Sequence, residues 1–336
     1  MLKKILNNKI VLITGGTGSF GSACTKYLLE NFKLKKLIIF SRDENKQYQM
    51  AMKYQKYKDI RFFLGDVRDL QRLNLAMKNV DYVIHAAALK HVPIAEYNPI
   101  ECINTNILGA QNIIIAALQN NVKKILALST DKATNPINLY GATKLAAEKL
   151  FLASNALTGK DNILFSVVRY GNVISSRGSV IPYFKDLIEK KEKYLPITDL
   201  RMTRFFLSIE DSVKFVLNSL SKMEYGEVFI PKLPSVKIID LAKTLKRDVK
   251  FQIIGLRPGE KIDESLCSKE ENRLILEFKD HFRIFSNLKS KENYLKQHKK
   301  ICKVVSEEFY YSSINNPQLL NLKDFKKKFS SIWFSK

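Results

Sequence analysis

A chain of 336 residues with 46% hydrophobic content carries enough apolar material for one large domain and an appended lobe, which excludes a disordered polymer. Its formal charge of +23 arises from 56 Lys and Arg against 33 Asp and Glu. The excess is mostly lysine spread over helix surfaces, with no helix-turn-helix or RNA-binding signature to focus it. No nucleic acid and no membrane is therefore expected as a partner, although a phosphate-bearing substrate would gain from the positive field.

The apolar runs are short and broken by charges, none near the ~20 residues that cross a bilayer. The opening Met1-Leu2-Lys3-Lys4-Ile5 lacks the apolar stretch and cleavage site of a signal peptide, so a cytoplasmic protein is expected. Cys24, Cys102, Cys267 and Cys302 are too widely spaced for a metal clip; free thiols and no metal are expected.

From Lys9 to about Tyr170, short β-rich runs alternate with longer amphipathic stretches. Strands are predicted at 10–14, 37–40, 61–64, 82–86, 124–128 and 164–169, near-continuously apolar as in a parallel sheet covered on both faces. Helices are predicted over 21–31, 71–78, 110–120 and 140–156. The alternation defines an α/β fold, a doubly wound parallel Rossmann-type sheet with a smaller C-terminal substrate-binding lobe. Residues 1–172 are assigned to the dinucleotide-binding domain, with a return segment near 203–231. Residues 173–336, punctuated by Pro182, Pro196, Pro231, Pro234 and Pro258, are assigned mainly to the lobe.

The first strand runs into Thr14-Gly15-Gly16-Thr17-Gly18-Ser19-Phe20-Gly21, which then opens a helix. Glycines in that setting permit a tight turn and close approach of backbone N–H groups to a pyrophosphate. The second strand ends at Ser41-Arg42-Asp43, where a hydroxyl and a guanidinium suit the 2′-phosphate of NADP better than the ribose hydroxyl of NAD. Asp66, followed by Val67, stands after the third strand, where its carboxylate could meet the adenine amino group or cap a helix. Ala86-Ala87-Ala88 is a small-residue run over which a dinucleotide could lie.

Tyr140 and Lys144, at i and i+4, share one helix face. The ammonium can then lower the phenol pKa, so that the phenolate takes a proton from an alcohol while a hydride leaves. Upstream, Thr130-Asp131-Lys132 sets a hydroxyl, an acid and an amine beside that pair, a set able to eliminate water from a ketone.

Together these features resemble the extended short-chain dehydrogenase/reductase family. The Thr130-Asp131-Lys132 run, with Lys where glucose dehydratases carry Glu, and the short loop to Tyr140 are similar to the inverting UDP-N-acetylglucosamine 4,6-dehydratases. So are the stretches His85–Pro93, Glu96–Pro99, Val168–Val173, Arg201–Phe205 and Arg257–Lys261. The resemblance runs almost from end to end, weakening near 243–250 and in the basic tail. It implies UDP-N-acetylglucosamine as substrate, a homo-oligomer, and a place at the start of pseudaminic acid synthesis for flagellin glycosylation. It implies that Tyr140 takes the O4 proton and that Thr130 orients O4. Lys132, its pKa lowered by burial beside other cations, would remove the C5 proton, and a protonated Asp131 would donate to the departing C6 hydroxyl. Hydride would return to C6, and C5 would be reprotonated from the opposite face. It further implies that Lys90, Asn172, Arg177, Arg204, Arg257 and Glu260 line the sugar-nucleotide cleft.

Bland readings stand beside these. Arg177 and Arg204 could be exposed loop charges, and His85 and His91 are expected to pack or hydrogen-bond rather than catalyse. A C4 epimerase or ketoreductase would use Tyr140 and Lys144 without needing Asp131 and Lys132. A retaining dehydratase and a non-catalytic NADP-sensing protein are the remaining alternatives.

Overall fold

The computed structural model describes residues 2–159, 163–174, 176 and 178–329. Strands β1 (Ile10–Thr14), β2 (Lys36–Ser41), β3 (Ile60–Leu64), β4 (Tyr82–His85), β5 (Lys124–Leu128) and β6 (Leu164–Val168) pair in parallel in the order β3-β2-β1-β4-β5-β6. β1, β4 and β5 are apolar along their length because helices cover both faces. Val11, Leu12 and Ile13 are fully buried, as are Val83, Ile84, Ile125 and Leu126. β3 lies at the sheet edge, and there the burial is only partial.

Beyond β6 the sheet continues through Val228–Pro231, parallel to β6, and then through the antiparallel strands His281–Ile284, Ile275–Phe278 and Cys302–Val304. This revises the assigned boundaries. Residues 203–207 of the expected return segment stay in the smaller lobe. The helix Ile209–Lys222 and the strand 228–231 rejoin the large layer, and so do 275–304. The polar residues that hide these strands from a hydropathy reading are paired: Arg283 Nη1 lies 3.6 Å from Glu227, and Lys232 Nζ donates to Glu277 at 2.7 Å.

The lobe is built on a four-stranded sheet, Leu319–Leu320, Ser235–Lys237, Thr203–Leu207 and Asn172–Val173. It has its own apolar core, which includes Ile181, Phe184, Leu195, Phe206, Leu241 and Phe325. Asn172 leaves the large sheet for the small one directly after Gly171, so the chain crosses between layers over the C-terminal ends of the strands. Ligands bind at that end of such sheets.

Candidate active site

A cleft of about 330 Å³, open to solvent, lies there. It is lined by Gly15, Gly18, Ser19, Phe20 and Gly21 of the first loop, Ala86 and Ala88 after β4, and Ser129, Thr130 and Lys132 after β5. Tyr140, Lys144, Lys90 and Asn172 complete the wall from the expected set.

Gly15 sits at φ +63, and a Cβ on it would lie 2.8 Å from the Ala87 amide nitrogen. The loop therefore presses its backbone onto the Ala86–Ala88 run as no larger residue could. Thr14 knits the same junction: its hydroxyl meets His85 Nδ1 at 2.7 Å and accepts from the Ala87 amide at 3.3 Å. Burial pushes the His85 ring down to about 3, with Lys144 adding to the effect, so it serves as a neutral packing and hydrogen-bonding group. Thr17 and Ser41 share a 2.6 Å hydroxyl contact.

Asp43 caps the helix Glu44–Lys53 by accepting from the Lys46 amide at 2.9 Å and also meets the Lys46 ammonium. Arg42, about half exposed, lies 3.4 Å from Asp66. Asp66 accepts from Arg68 Nη2 at 2.8 Å and from the Arg68 amide at 3.0 Å. It is not the helix cap: Asp69 fills that position on the helix Leu70–Ala76. Val67 is buried against Gly109.

In the catalytic half, Thr130 leaves β5 and caps a single 3₁₀ turn, Asp131–Ala133. Thr130 Oγ1 donates to Asp131 Oδ1 at 2.9 Å, and Lys132 Nζ reaches the same oxygen at 3.1 Å. Asp131 is 1% exposed and lies behind Thr130 and Lys132 rather than on the cleft wall. Lys132 Nζ also lies 3.1 Å from Glu264 Oε1. Burial alone would lower the Lys132 pKa, but the Asp131 and Glu264 carboxylates outweigh it and hold the amine well above its ordinary range. The expected lowering is thus reversed, because carboxylates rather than cations dominate its surroundings.

Tyr140 and Lys144 project from the helix Leu139–Ala153, capped by Asn138, which accepts from the Gly141 amide at 2.7 Å. Burial pushes the phenol up to about 12, opposed chiefly by the Lys132 charge and by a hydrogen bond with Thr130. Lys144 donates to the Leu128 carbonyl at 2.6 Å, and burial lowers it to about 8. The charge that opposes this rise most strongly is therefore Lys132. Gly141 lets the two halves touch: a Cβ there would lie 2.2 Å from the Lys132 carbonyl oxygen.

Of the expected substrate residues, Lys90 and Asn172 line the cleft and Arg177 lies outside the described residues. Arg204 is neither an exposed charge nor on the cleft wall. It is buried, with Nη1 bound to the carbonyls of Thr203 and Ile262 and Nη2 to that of Lys261, each at 2.7 Å. Its fork holds the 261–264 segment and is not directed at a ligand. Arg257 is exposed beside Glu260, which accepts from the Arg257 amide at 3.2 Å, and neither lines the cleft. Their loop docks on the catalytic helix, where Asn138 donates to the Gly259 carbonyl at 2.7 Å.

Residues that the motifs did not single out support this frame. Asn106, in a π-turn at Asn104–Leu108, exchanges hydrogen bonds with Leu89 N and O at 2.9 Å and donates to Thr143 at 3.0 Å. Such a turn within a helix often marks a functional site, and it becomes visible only in the fold. Lys261 donates to the Thr134 carbonyl at 2.7 Å and so braces the Asp131 turn. Among the described residues, no group of His, Cys, Asp and Glu could hold a metal ion, and no helix is long and apolar enough to cross a membrane.

The parallel sheet, the glycine loop on its first strand and the Tyr140–Lys144 helix define a Rossmann-type fold of the short-chain dehydrogenase/reductase kind. The chain belongs to the family described as polysaccharide biosynthesis protein, which matches residues 11–286. It is 53% identical over 324 residues to a Campylobacter jejuni strain 81-176 protein named UDP-N-acetylglucosamine 4,6-dehydratase (inverting), covering 95% of this chain and 97% of that one. A Rickettsia bellii protein named UDP-glucose 4-epimerase is 44% identical over 330 residues, 95% of each chain. The X-ray structure of Pen from Bacillus thuringiensis superposes with a TM-score of 0.88 at 35% identity, covering 98% of this chain and 99% of that one. The resemblance drawn from the motifs is borne out.

Proposed function

We propose that the chain is an NADP-dependent UDP-N-acetylglucosamine 4,6-dehydratase that inverts C5, forming UDP-2-acetamido-2,6-dideoxy-4-keto-L-arabino-hexose. The observation that carries this reading is Lys132 on the cleft wall beside Tyr140, held on a buried carboxylate. An epimerase needs the Tyr140 and Lys144 pair alone, whereas an amine paired with an acid serves proton transfer at a second carbon. Similarity to the Campylobacter protein over nearly the whole chain supports the same substrate and outcome. By the same resemblance the reaction opens pseudaminic acid synthesis in the cytoplasm, in a homo-oligomer.

The Gly15 cradle, which a Cβ would fill, fits a pyrophosphate against backbone amides at the start of the helix Ser19–Asn31. With Asp43 engaged as a helix cap, Ser41 and Arg42 are left to meet a 2′-phosphate. When bound, the nicotinamide supplies hydride acceptance at C4 and hydride return at C6.

Tyr140, hydrogen-bonded to Thr130, takes the O4 proton, and the Lys132 charge stabilises the phenolate. The resulting 4-ketone acidifies C5. Transfer of one proton from Lys132 Nζ to Asp131 Oδ1, 3.1 Å away, turns the resting ion pair into a free amine and a carboxylic acid. The amine takes the C5 proton. Asp131 passes its proton through Thr130, bonded to it at 2.9 Å, to the C6 hydroxyl, which leaves as water. Both groups regain their starting charges, and C5 is reprotonated from the opposite face with the proton that Tyr140 took from O4, which returns Tyr140 to its starting state.

Purified protein is incubated with UDP-N-acetylglucosamine deuterated at C4, with no added coenzyme, and the product read by NMR. A deuterated C6 methyl, a 4-ketone, inverted C5, and NADP⁺ rather than NAD⁺ released on denaturation are expected. A product that keeps its C6 hydroxyl and differs only at C4 makes the protein an epimerase.

A further inference from the structure

Behind Lys132 stands a carboxylate that no motif pointed to. Glu264 is 2% exposed and absent from the cleft wall, so it does not touch the substrate. Its Oε1 contacts Lys132 Nζ at the same 3.1 Å as Asp131 Oδ1 does. An ammonium has three N–H donors. One is given to Asp131 in a hydrogen bond, and the Glu264 carboxylate is ion-paired with the same nitrogen, so Nζ is held between two anions with its remaining side toward the cleft. A lysine stem is otherwise long and freely rotating, so the two carboxylates together decide where the nitrogen points.

Glu264 is built to hold that position. Its backbone is clamped to Ser313 on both sides, the amide donating to Ser313 Oγ at 3.0 Å and the carbonyl accepting from Ser313 N at 2.8 Å. Arg204 Nε lies 3.8 Å from Oε1, and the Lys261 charge also interacts with this carboxylate, so Glu264 is shared among three cations. Its second oxygen, Oε2, is buried without a hydrogen-bond partner among the described residues, as is Asp131 Oδ2. Two buried carboxylates, each with one oxygen committed to the same lysine, are costly to assemble, and packing alone would not call for them.

We propose that Glu264 is the positioning residue for the acid/base pair, fixing Lys132 Nζ so that its mobile proton is exchanged with Asp131 and its free electron pair then faces C5. The inference rests on the dehydratase reading. It separates the two halves of the reaction: C4 oxidation uses Lys132 only as a charge beside Tyr140 and should change little without Glu264, whereas elimination needs the amine aimed at C5 and should fall.

The test is single-turnover stopped flow of the NADP⁺-loaded enzyme with UDP-N-acetylglucosamine, following reduced nicotinamide by absorbance and 4-keto product by quench. Glu264→Gln, which keeps an acceptor at the same reach, is expected to slow elimination about 10-fold, and Glu264→Ala roughly 10²-fold. In both, reduced nicotinamide forms within about 2-fold of the wild-type rate and then persists, with KM little changed. A merely structural role would depress both phases together, and that result, in a variant with a wild-type melting profile, overturns the proposal. Elimination at the wild-type rate in Glu264→Gln overturns it too, and that variant decides the matter if Glu264→Ala does not fold. If the wild-type enzyme itself yields no keto-sugar, the dehydratase reading falls and takes this proposal with it.

Discussion

Arg169 closes a two-pronged ion pair on Glu148, with Nη2 2.6 Å from Oε2 and Nε 3.1 Å from Oε1, both side chains almost wholly buried. Glu148 rides on the helix of Tyr140 and Lys144, and Arg169 directly follows β6. The same guanidinium donates to Thr134 at 3.0 Å, to the Leu266 carbonyl at 2.9 Å and to Glu271 at 3.0 Å. One cation thereby joins the catalytic helix, the end of the Asp131 turn and the segment that follows Glu264.

Arg169→Met is expected to destabilise the protein by about 3–5 kcal/mol, because it strands the buried Glu148 carboxylate. Urea unfolding followed by circular dichroism measures this. A loss under about 1 kcal/mol would show that the network contributes little.

Lys132→Met and Asp131→Asn are both expected to cut turnover by roughly 10²–10⁴-fold, the usual range for a lost acid or base. They should differ in stability. Removing the lysine leaves Asp131 and Glu264 buried without their shared cation and is expected to cost about 1–3 kcal/mol. The side-chain amide introduced by Asp131→Asn keeps a carbonyl oxygen that can accept from Thr130 and Lys132, so that variant should melt close to wild type. Equal melting temperatures for the two variants would contradict the ion-pair geometry; near-normal turnover in either would remove that residue from the mechanism.

Mild acid should weaken the fold through its buried histidines. Burial pushes His85 down to about 3, and it pushes His281 down to about 4 although the Asp280 contact opposes it. Below pH 6.5 the unfolded chain binds protons at both rings that the folded chain refuses, so stability is full above that pH and is lost as pH falls. Urea midpoints measured from pH 7 to pH 5 should decline, and His85→Asn should make the decline shallower. A flat wild-type profile over that interval would contradict the burial of these rings.

The parts of the molecule that reveal themselves in the sequence are those governed by local chemistry. β1 to β6 lie within a residue of their predicted bounds, because strands buried on both faces are continuous apolar runs. The glycine loop and the Tyr140 helix are legible for the same reason. The strands at 275–278 and 281–284 are not, since Glu277 and Arg283 find their partners, Lys232 and Glu227, far away in the chain. The Lys132 charge state is hidden on similar grounds: its neighbour Glu264 is far away in the chain and adjacent only in the fold. Arg204 looks like a ligand-binding fork until the carbonyls of Lys261 and Ile262 occupy it.

At residue 141 the chain tolerates a hydrogen atom and nothing larger, because the carbonyl of Lys132 occupies the space where a methyl would go. In the proposed reaction, the groups that would withdraw electrons from the sugar and those that would strip water from it are thus set at a fixed gap by the backbone itself. A short-lived ketone formed at one would have no distance to travel to reach the other, and the two groups of residues cannot drift apart through changes in side chains alone.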